Sequence, residues 1–404
     1  MTGAGTAEAG RQVAIIGAGV SGLALAIRLL QTGWTVEIFE ARGEEAIGDG
    51  AFLTLAPNGI NALRALGLAE RIFGRGIPTI GFEILNAAGK RIARLDERED
   101  QRRAGAASVT LKRCDLLDVL LGEAKRAGAR IRFGHVLTGI ERDGDGVTLN
   151  FTNGATTAAE WIAGCDGVWS RTRRLAFPGA PDPVYTGLTG TGGFLDLPSV
   201  APTDGFMRMV FGEHAFFGYI KEGDGPVFWF DSFALDEETA VARPDPTMLA
   251  ALARELHATD PAPVCDIAAG ISQLPRAYPV FDMAHLPCWY DDRVVLLGDA
   301  AHAVSPHAGQ GASMAIEDAV VLAACLGAHP APAEAFAAYQ GLRRDRVERI
   351  VRMSRRRGSQ KRVQGRLALF LRDLILPLVI PVMARRQRDV TLYRADLDPL
   401  VKPR

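Results

Sequence analysis

The hydrophobic pattern changes period twice near the start of the chain. Gln12 to Ile16 is an unbroken apolar run that stops at glycines, Val20 to Gln31 repeats its apolar positions with helical spacing, and Thr35 to Glu40 alternates. These periods predict a buried strand, a helix and a second strand, which is a βαβ opening. Pro57 to Leu68 predicts another helix, and Gly81 to Leu95 alternates around Asn86-Ala87-Ala88-Gly89 as a hairpin does. Helical spacing returns from Arg113 to Arg126. Between Ala129 and Cys165 short β-like runs are punctuated by Asp143-Gly144-Asp145-Gly146 and Asn153-Gly154, the pattern of a meander.

From Pro178 to Pro287 the composition shifts to Gly, Pro and aromatics with strand-like runs such as MRMVFG, AFFGYI and VFWFDSF. A buried strand, Arg293 to Leu297, then leads through a glycine turn into a helix from Ala312 to Leu326, and from Ala333 onward the chain reads as arginine-rich helices. The expected fold class is α/β: a Rossmann-like domain, an inserted mixed or antiparallel-sheet domain, and a C-terminal helical segment. The expected boundaries are 11–178 and 289–340 for the two parts of the first domain, 179–288 for the insertion and 341–404 for the helical segment. The hairpin at 81–96 is expected to join the inserted domain.

A chain of 404 residues, 48% hydrophobic, can bury a sizeable core. Its net charge of -1 gives no reason to expect nucleic acid as a partner. The five cysteines are odd in number, far apart and without a CxxC pair, which excludes a disulfide framework or zinc site as the expectation; no metal is expected, and a reducing cytoplasm fits. The opening MTGAGTAEAG lacks the basic and apolar regions of a signal peptide and reads as a short leader. Leu367 to Ala384 is apolar but broken by Arg372, Asp373, Pro377 and Pro381, so it is a poor spanning helix.

Three motifs carry chemistry. Gly17-Ala18-Gly19-Val20-Ser21-Gly22 stands between strand and helix, with Glu40 ending the next strand. Gly17 permits the tight turn, Gly19 lets a pyrophosphate approach the backbone, Gly22 allows close helix packing, and Glu40 can accept ribose hydroxyls; Arg42 follows as a candidate contact. The second motif, Gly298-Asp299-Ala300-Ala301-His302, follows a buried strand and precedes Pro306, Gly309-Gln310-Gly311, Ala312 and a helix bearing Glu317-Asp318. Asp299 is placed to accept hydrogen bonds from a polyhydroxyl chain, and the helix N-terminus suits negative charge. The third, Cys165-Asp166-Gly167-Val168-Trp169-Ser170, reads equally well as a turn with a Ser170 helix cap.

In this order and spacing the motifs resemble the group A flavoprotein monooxygenases, the para-hydroxybenzoate hydroxylase-like aromatic hydroxylases, over residues 11 to 342. The resemblance implies FAD held by the glycine turn and Glu40 on its ADP half and by Asp299 on its ribityl chain. It associates Asp166 and Gly167 with both FAD and NAD(P)H, and it matches Arg113 to a FAD-contacting arginine. Residues Gly50 to Asn58 resemble the family segment beside the flavin, with Phe52 where glycine is common, which narrows the pocket.

The implied activity uses NADH or NADPH as transient donor and O2 as co-substrate, and a flavin C4a-hydroperoxide transfers OH to a small, largely apolar aromatic or polycyclic substrate. Pro306, Gly309 and Gly311 are the expected flavin-ring wall. Phe52, Thr54, Arg208, Phe217, Tyr219 and Trp229 are the candidate substrate residues, with Phe217 and Tyr219 on one strand face. His302 and His307 are read as structural.

Arg343, Arg346, Arg349, Arg352 and Arg356 share a helix face and read as solvated; attraction of NADPH or of an anionic membrane, together with 367–384, is the alternative. Epoxidation or Baeyer-Villiger insertion by the same peroxide, and a geranylgeranyl-reductase-like flavoprotein, are competing readings. A flavin-dependent halogenase lacks its WxWxIP signature here, and nothing in the sequence favours a non-enzymatic flavin module. The sequence leaves the oligomeric state open.

Overall fold

The first sheet of the computed structural model consists of five parallel strands in the order Val294–Leu296, Trp161–Gly164, Gln12–Ile16, Thr35–Phe39 and Arg130–Arg132. The structure describes residues 12–46, 48, 50–144, 146–242, 245–272, 277–360, 371, 373–380, 388–396 and 400. The expected leader and much of the C-terminal apolar stretch lie outside the described residues. The sheet is covered on both sides, which is why Val294–Leu296, Trp161–Gly164 and Gln12–Ile16 read as apolar runs, while Thr35–Phe39 and Arg130–Arg132, toward the other edge, alternate. One face packs under the helices Val20–Gln31, Arg113–Arg126 and Gly311–Ala328. The other packs Ala14, Ile16 and Phe39 on Leu137, Leu149 and Phe151 of the three-stranded meander.

The second sheet has seven strands, in the order Tyr278–Asp282, Val184–Leu195, Val227–Ala234, Phe216–Ile220, Phe206–Phe211, Gly81–Asn86 and Arg91–Asp96. All neighbours are antiparallel except Gly81–Asn86 with Phe206–Phe211, which run parallel. The α/β class with a Rossmann-like sheet and a separate mixed sheet is as the sequence implied. A small sheet of Phe52–Leu55, Ser108–Lys112 and Ile77–Thr79 lies beside them, crossed by a hydroxyl chain: Thr54 Oγ1 is 2.7 Å from Thr110 Oγ1, which is 2.7 Å from Thr79 Oγ1.

The inserted region also holds helices that the strand-like reading passed over, among them Pro246–Leu256 and Val264–Ala269. Their signal was local. Asp245 caps the first by accepting from Thr247 N at 2.7 Å, Pro246 occupies its opening turn, and its apolar residues recur with helical spacing.

These helices change the meaning of the aromatic strands. Leu249, Ala250, Val264 and Ile267 cover the sheet face that carries Phe217, Tyr219, Val227, Trp229 and Phe233. Phe217 and Tyr219 do share a face, but that face is closed. Phe217 is fully buried, lies parallel to Trp229 at 6.0 Å between ring centroids, and meets the edge of His257. Arg208 donates to Tyr219 Oη at 3.2 Å and to Glu83 at 3.3 Å on the same side. Of the candidate substrate residues, Phe217, Tyr219 and Trp229 are thus buried under these helices, while Arg208 stays half-buried beside them.

His257 lies within that core, its Nδ1 2.7 Å from Asp260 and its Nε2 3.2 Å from Asp231. Burial works against a charged ring, but the two carboxylates outweigh it and raise the pKa from 6.5 to about 9. A raised folded-state pKa means that the stabilisation is fully present below about pH 6.5 and is lost as pH rises through about 9. Thermal melts should therefore show wild-type protein losing roughly 2–4 kcal/mol of stability across that window. His257→Gln should be less stable at neutral pH and flat over the same range. A wild-type profile as flat as the variant's would refute the assignment.

Candidate active site

The glycine turn lies at the carboxyl end of strand Gln12–Ile16, where open α/β sheets bind ligands. Gly17 has φ +105° and donates its N-H to Phe39 O at 2.8 Å; a Cβ there would stand 2.5 Å from Cys165 O. A Cβ at Gly22 would stand 2.0 Å from Gly17 O, so the helix can sit this close only with glycine. At Gly19, by contrast, no atom lies within 4 Å of the Cβ position, so the backbone there is open to an approaching group. Glu40 braces the turn: one carboxylate oxygen accepts from Ala18 N at 2.8 Å, the other from Arg42 N at 3.1 Å and Arg42 Nε at 3.2 Å. Neither Val20–Gln31 nor Gly311–Ala328 has a side-chain cap, so no capping side chain competes with an anion for their first N-H groups.

Asp299 opens a short helical turn after Gly298. It sits deep in the molecule, yet its side chain is exposed and accepts no hydrogen bond from any described residue. Burial raises its pKa, opposed by His302 and Arg113. Arg113 is half-buried at the head of its helix, its N-H donates to Ala51 O at 3.1 Å, and its side chain runs beside Gly50. Pro306 and Gly309 are exposed, and Gly311 and Ala312 are half-buried at the helix N-terminus. The structure thus gathers the glycine turn, Asp299 and the uncapped helix ends along one set of strand ends, with Arg113 close enough to Asp299 for its charge to be felt. That set of groups fits a dinucleotide: amide donors for phosphates and a carboxylate acceptor for hydroxyls.

A family model described as FAD binding domain matches residues 11–354. The chain is 30% identical over 390 residues to an aurachin C monooxygenase/isomerase from Stigmatella aurantiaca, covering 95% of this chain and 98% of that protein. It is 31% identical to a 3-amino-4-hydroxybenzoate 2-monooxygenase from Streptomyces cremeus, over 85% of this chain and 86% of that one. Among solved structures, Klebsiella pneumoniae HpxO complexed with FAD and uric acid superposes with a TM-score of 0.85 at 26% identity, over 95% of this chain and 97% of that one. The chain belongs to the group A FAD-dependent monooxygenases. FAD is its cofactor, with NAD(P)H as electron donor and O2 as co-substrate.

In this monooxygenase the third motif serves the loop itself. Asp166 accepts from Ser170 Oγ, from Thr172 N at 2.9 Å and from Thr172 Oγ1 at 3.0 Å, while Gly167 adopts φ +78°. Ser170 caps the next helix by accepting from Arg173 N at 2.9 Å. The buried Arg173 donates to Val168 O and to Ala300 O, each at 2.8 Å, and so bolts the Asp166-Gly167 loop to the turn of Asp299.

The largest omission concerns the C-terminal helix Pro332–Gln360. Arg343 and Arg346 are not solvated; both are fully buried. Arg343 Nε donates to Asp318 at 2.7 Å and its Nη2 lies 2.7 Å from Glu317; Arg346 donates to Glu317 at 2.8 and 2.9 Å and to Val390 O at 2.7 Å. The same carboxylates hold the flavin-side turns. Asp318 accepts from Gly298 N at 3.1 Å and lies 2.6 Å from His302 Nε2, and Asn58 donates to Glu317 at 2.6 Å and to Gln310 at 2.9 Å. His302 is thereby structural, as expected. The available signal was Glu317-Asp318 in a helix whose remaining face is apolar: two buried anions require cations from elsewhere in the chain. Of the other arginines on that face, Arg349 pairs with Asp389, and Arg352 with Glu348, near the surface.

Burial raises Asp318, but His302 and Arg343 outweigh it and hold its pKa at about 2. Its stabilisation is therefore present above about 3.8 and lost as pH falls toward 2. Arg343→Met, which leaves buried carboxylate charge unpaired, should cost about 3–5 kcal/mol in urea unfolding. Arg352→Met, at the exposed end, should cost less than about 1 kcal/mol. Equal effects of the two substitutions would contradict the network.

Proposed function

We propose that this enzyme hydroxylates a largely apolar aromatic or polycyclic molecule held beside the face of the second sheet that meets Phe52. The observation that carries the reading is the position of Phe52. Its strand continues from Gly50 beside Arg113, and its ring meets Phe228 at 5.4 Å and both Phe194 and Phe230 at 6.1 Å. Ile77, Met207, Ile220, Phe82 and Met209 complete a cluster of hydrocarbon and thioether surface. Such a wall favours flat, weakly polar rings and excludes water from the reacting centre. Thr54, tied to Thr110, offers a hydroxyl at its edge. The names of relatives that act on aminohydroxybenzoate, hydroxynicotinate and urate agree with a ring as substrate.

FAD, when bound, supplies oxygen transfer from O2 after reduction by NAD(P)H. In this reading Asp299 accepts ribityl hydroxyls, Arg113 and the N-terminus at Gly311-Ala312 offset negative charge, and Pro306 and Gly309 wall the ring. Asp166 and Gly167 shape the loop on the nicotinamide side, and Glu40 with Arg42 fixes the adenosine end.

Asp299→Ala should weaken FAD binding by about 1.5–3 kcal/mol, read as flavin released per chain after denaturation. A fully loaded variant of unchanged affinity would remove the role. With the true substrate, NAD(P)H oxidation should accelerate and one atom of labelled O2 should enter the product. Label arriving from water would exclude monooxygenation. Phe52→Ala should keep FAD but divert turnover to H2O2, whereas Phe217→Ala should chiefly destabilise the fold, by about 3–5 kcal/mol.

A further inference from the structure

The residues at 371 and 373–380 are helical, and the helix has two apolar sides. Leu376 and Ile380 pack against Ile84, Phe211 and Phe216 of the second sheet, and Asp373 accepts from Asn86 Nδ2 at 2.9 Å. That side explains why the helix sits where it does. The other side is made of Leu371, Leu374, Ile375 and Leu378, spaced three and four residues apart, with exposures of 45%, 59%, 51% and 74%. Four of the exposed large hydrophobic side chains of the described residues are thus gathered on one helix face.

We propose that this face is an interfacial anchor that docks the enzyme on an anionic lipid bilayer. The charge of the surrounding sequence selects that occupant. In sequence, Lys361, Arg362, Arg366, Arg372, Arg385 and Arg386 stand between positions 361 and 386 against the single acid Asp373, in a chain whose net charge is -1. An apolar helix face preceded and followed in sequence by cations is the pattern of segments that insert to headgroup depth while their charges meet lipid phosphates. A second copy of the chain is disfavoured, because four partly exposed aliphatic side chains supply at most a few hundred Å², below the roughly 800 Å² per partner of a stable dimer. The helix lies on the surface and does not span: its opposite side is committed to the protein core. This inference stands on the helix and does not rest on the substrate reading.

The test is flotation of the full-length, FAD-loaded enzyme with vesicles of phosphatidylcholine and phosphatidylglycerol in a 70:30 mixture, compared with phosphatidylcholine alone. The enzyme should float with the mixed vesicles and bind them at least tenfold better than neutral ones, with the advantage shrinking at high salt. Leu374→Asp with Leu378→Asp should lower binding at least tenfold while flavin content and melting temperature hold, since both side chains already face solvent. Arg385→Gln with Arg386→Gln should lower binding and flatten its salt dependence. Enzyme left in the dense fraction with anionic vesicles would overturn the proposal, as would equal binding to both vesicle types or unchanged flotation of the aspartate variant. A vesicle-free dimer that the same aspartates dissociate would assign the face to a second copy instead.

Discussion

Two adjacent carboxylates on one helix set the terms for much of this structure. Glu317 and Asp318 lie in Gly311–Ala328, whose other contacts are with the core of the first domain, and a buried anion without a partner costs several kcal/mol. Arg343 and Arg346 answer that demand from Pro332–Gln360, so the long C-terminal helix is fixed against the cofactor domain by charge as well as by packing. Tyr393 closes the cluster, its ring 4.3 Å from the Arg346 guanidinium. Because both carboxylates also serve groups other than the arginines, the cluster fixes Gly298, His302 and Asn58, and through Asn58 also Gln310. The turns that would face a flavin are therefore held from behind by one neutral set of two acids and two arginines.

The same division of labour recurs elsewhere. Arg173 is buried and carries its charge to two backbone carbonyls, joining two loops distant in sequence, while the groups left for the ligand are backbone amides and one carboxylate. Polar side chains around the cofactor region mostly hold the scaffold. In the second sheet the two faces separate in a similar way: one is covered by helices over Phe217, Trp229 and His257, the other packs against Phe52.

The periods of hydrophobicity determined the strands and helices of the first domain, since a strand buried on both sides and a helix buried on one leave unmistakable local patterns. The glycine turn was equally legible: the collisions that forbid side chains at Gly17 and Gly22 arise within a few residues or from the neighbouring strand end. Alternation likewise put Phe217 and Tyr219 on a common face. It carries no sign, however. Which face of these strands Pro246–Leu256 and Val264–Ala269 cover is decided only when they fold back from later in the chain, and that choice left Phe228 and Phe230 on the side of Phe52. The arginines teach the same lesson. Helical spacing aligned Arg343, Arg346, Arg349 and Arg352, but only the approach of Glu317 and Asp318 decided that the first two are buried, because desolvating a guanidinium is tolerable only where anions from another helix await it.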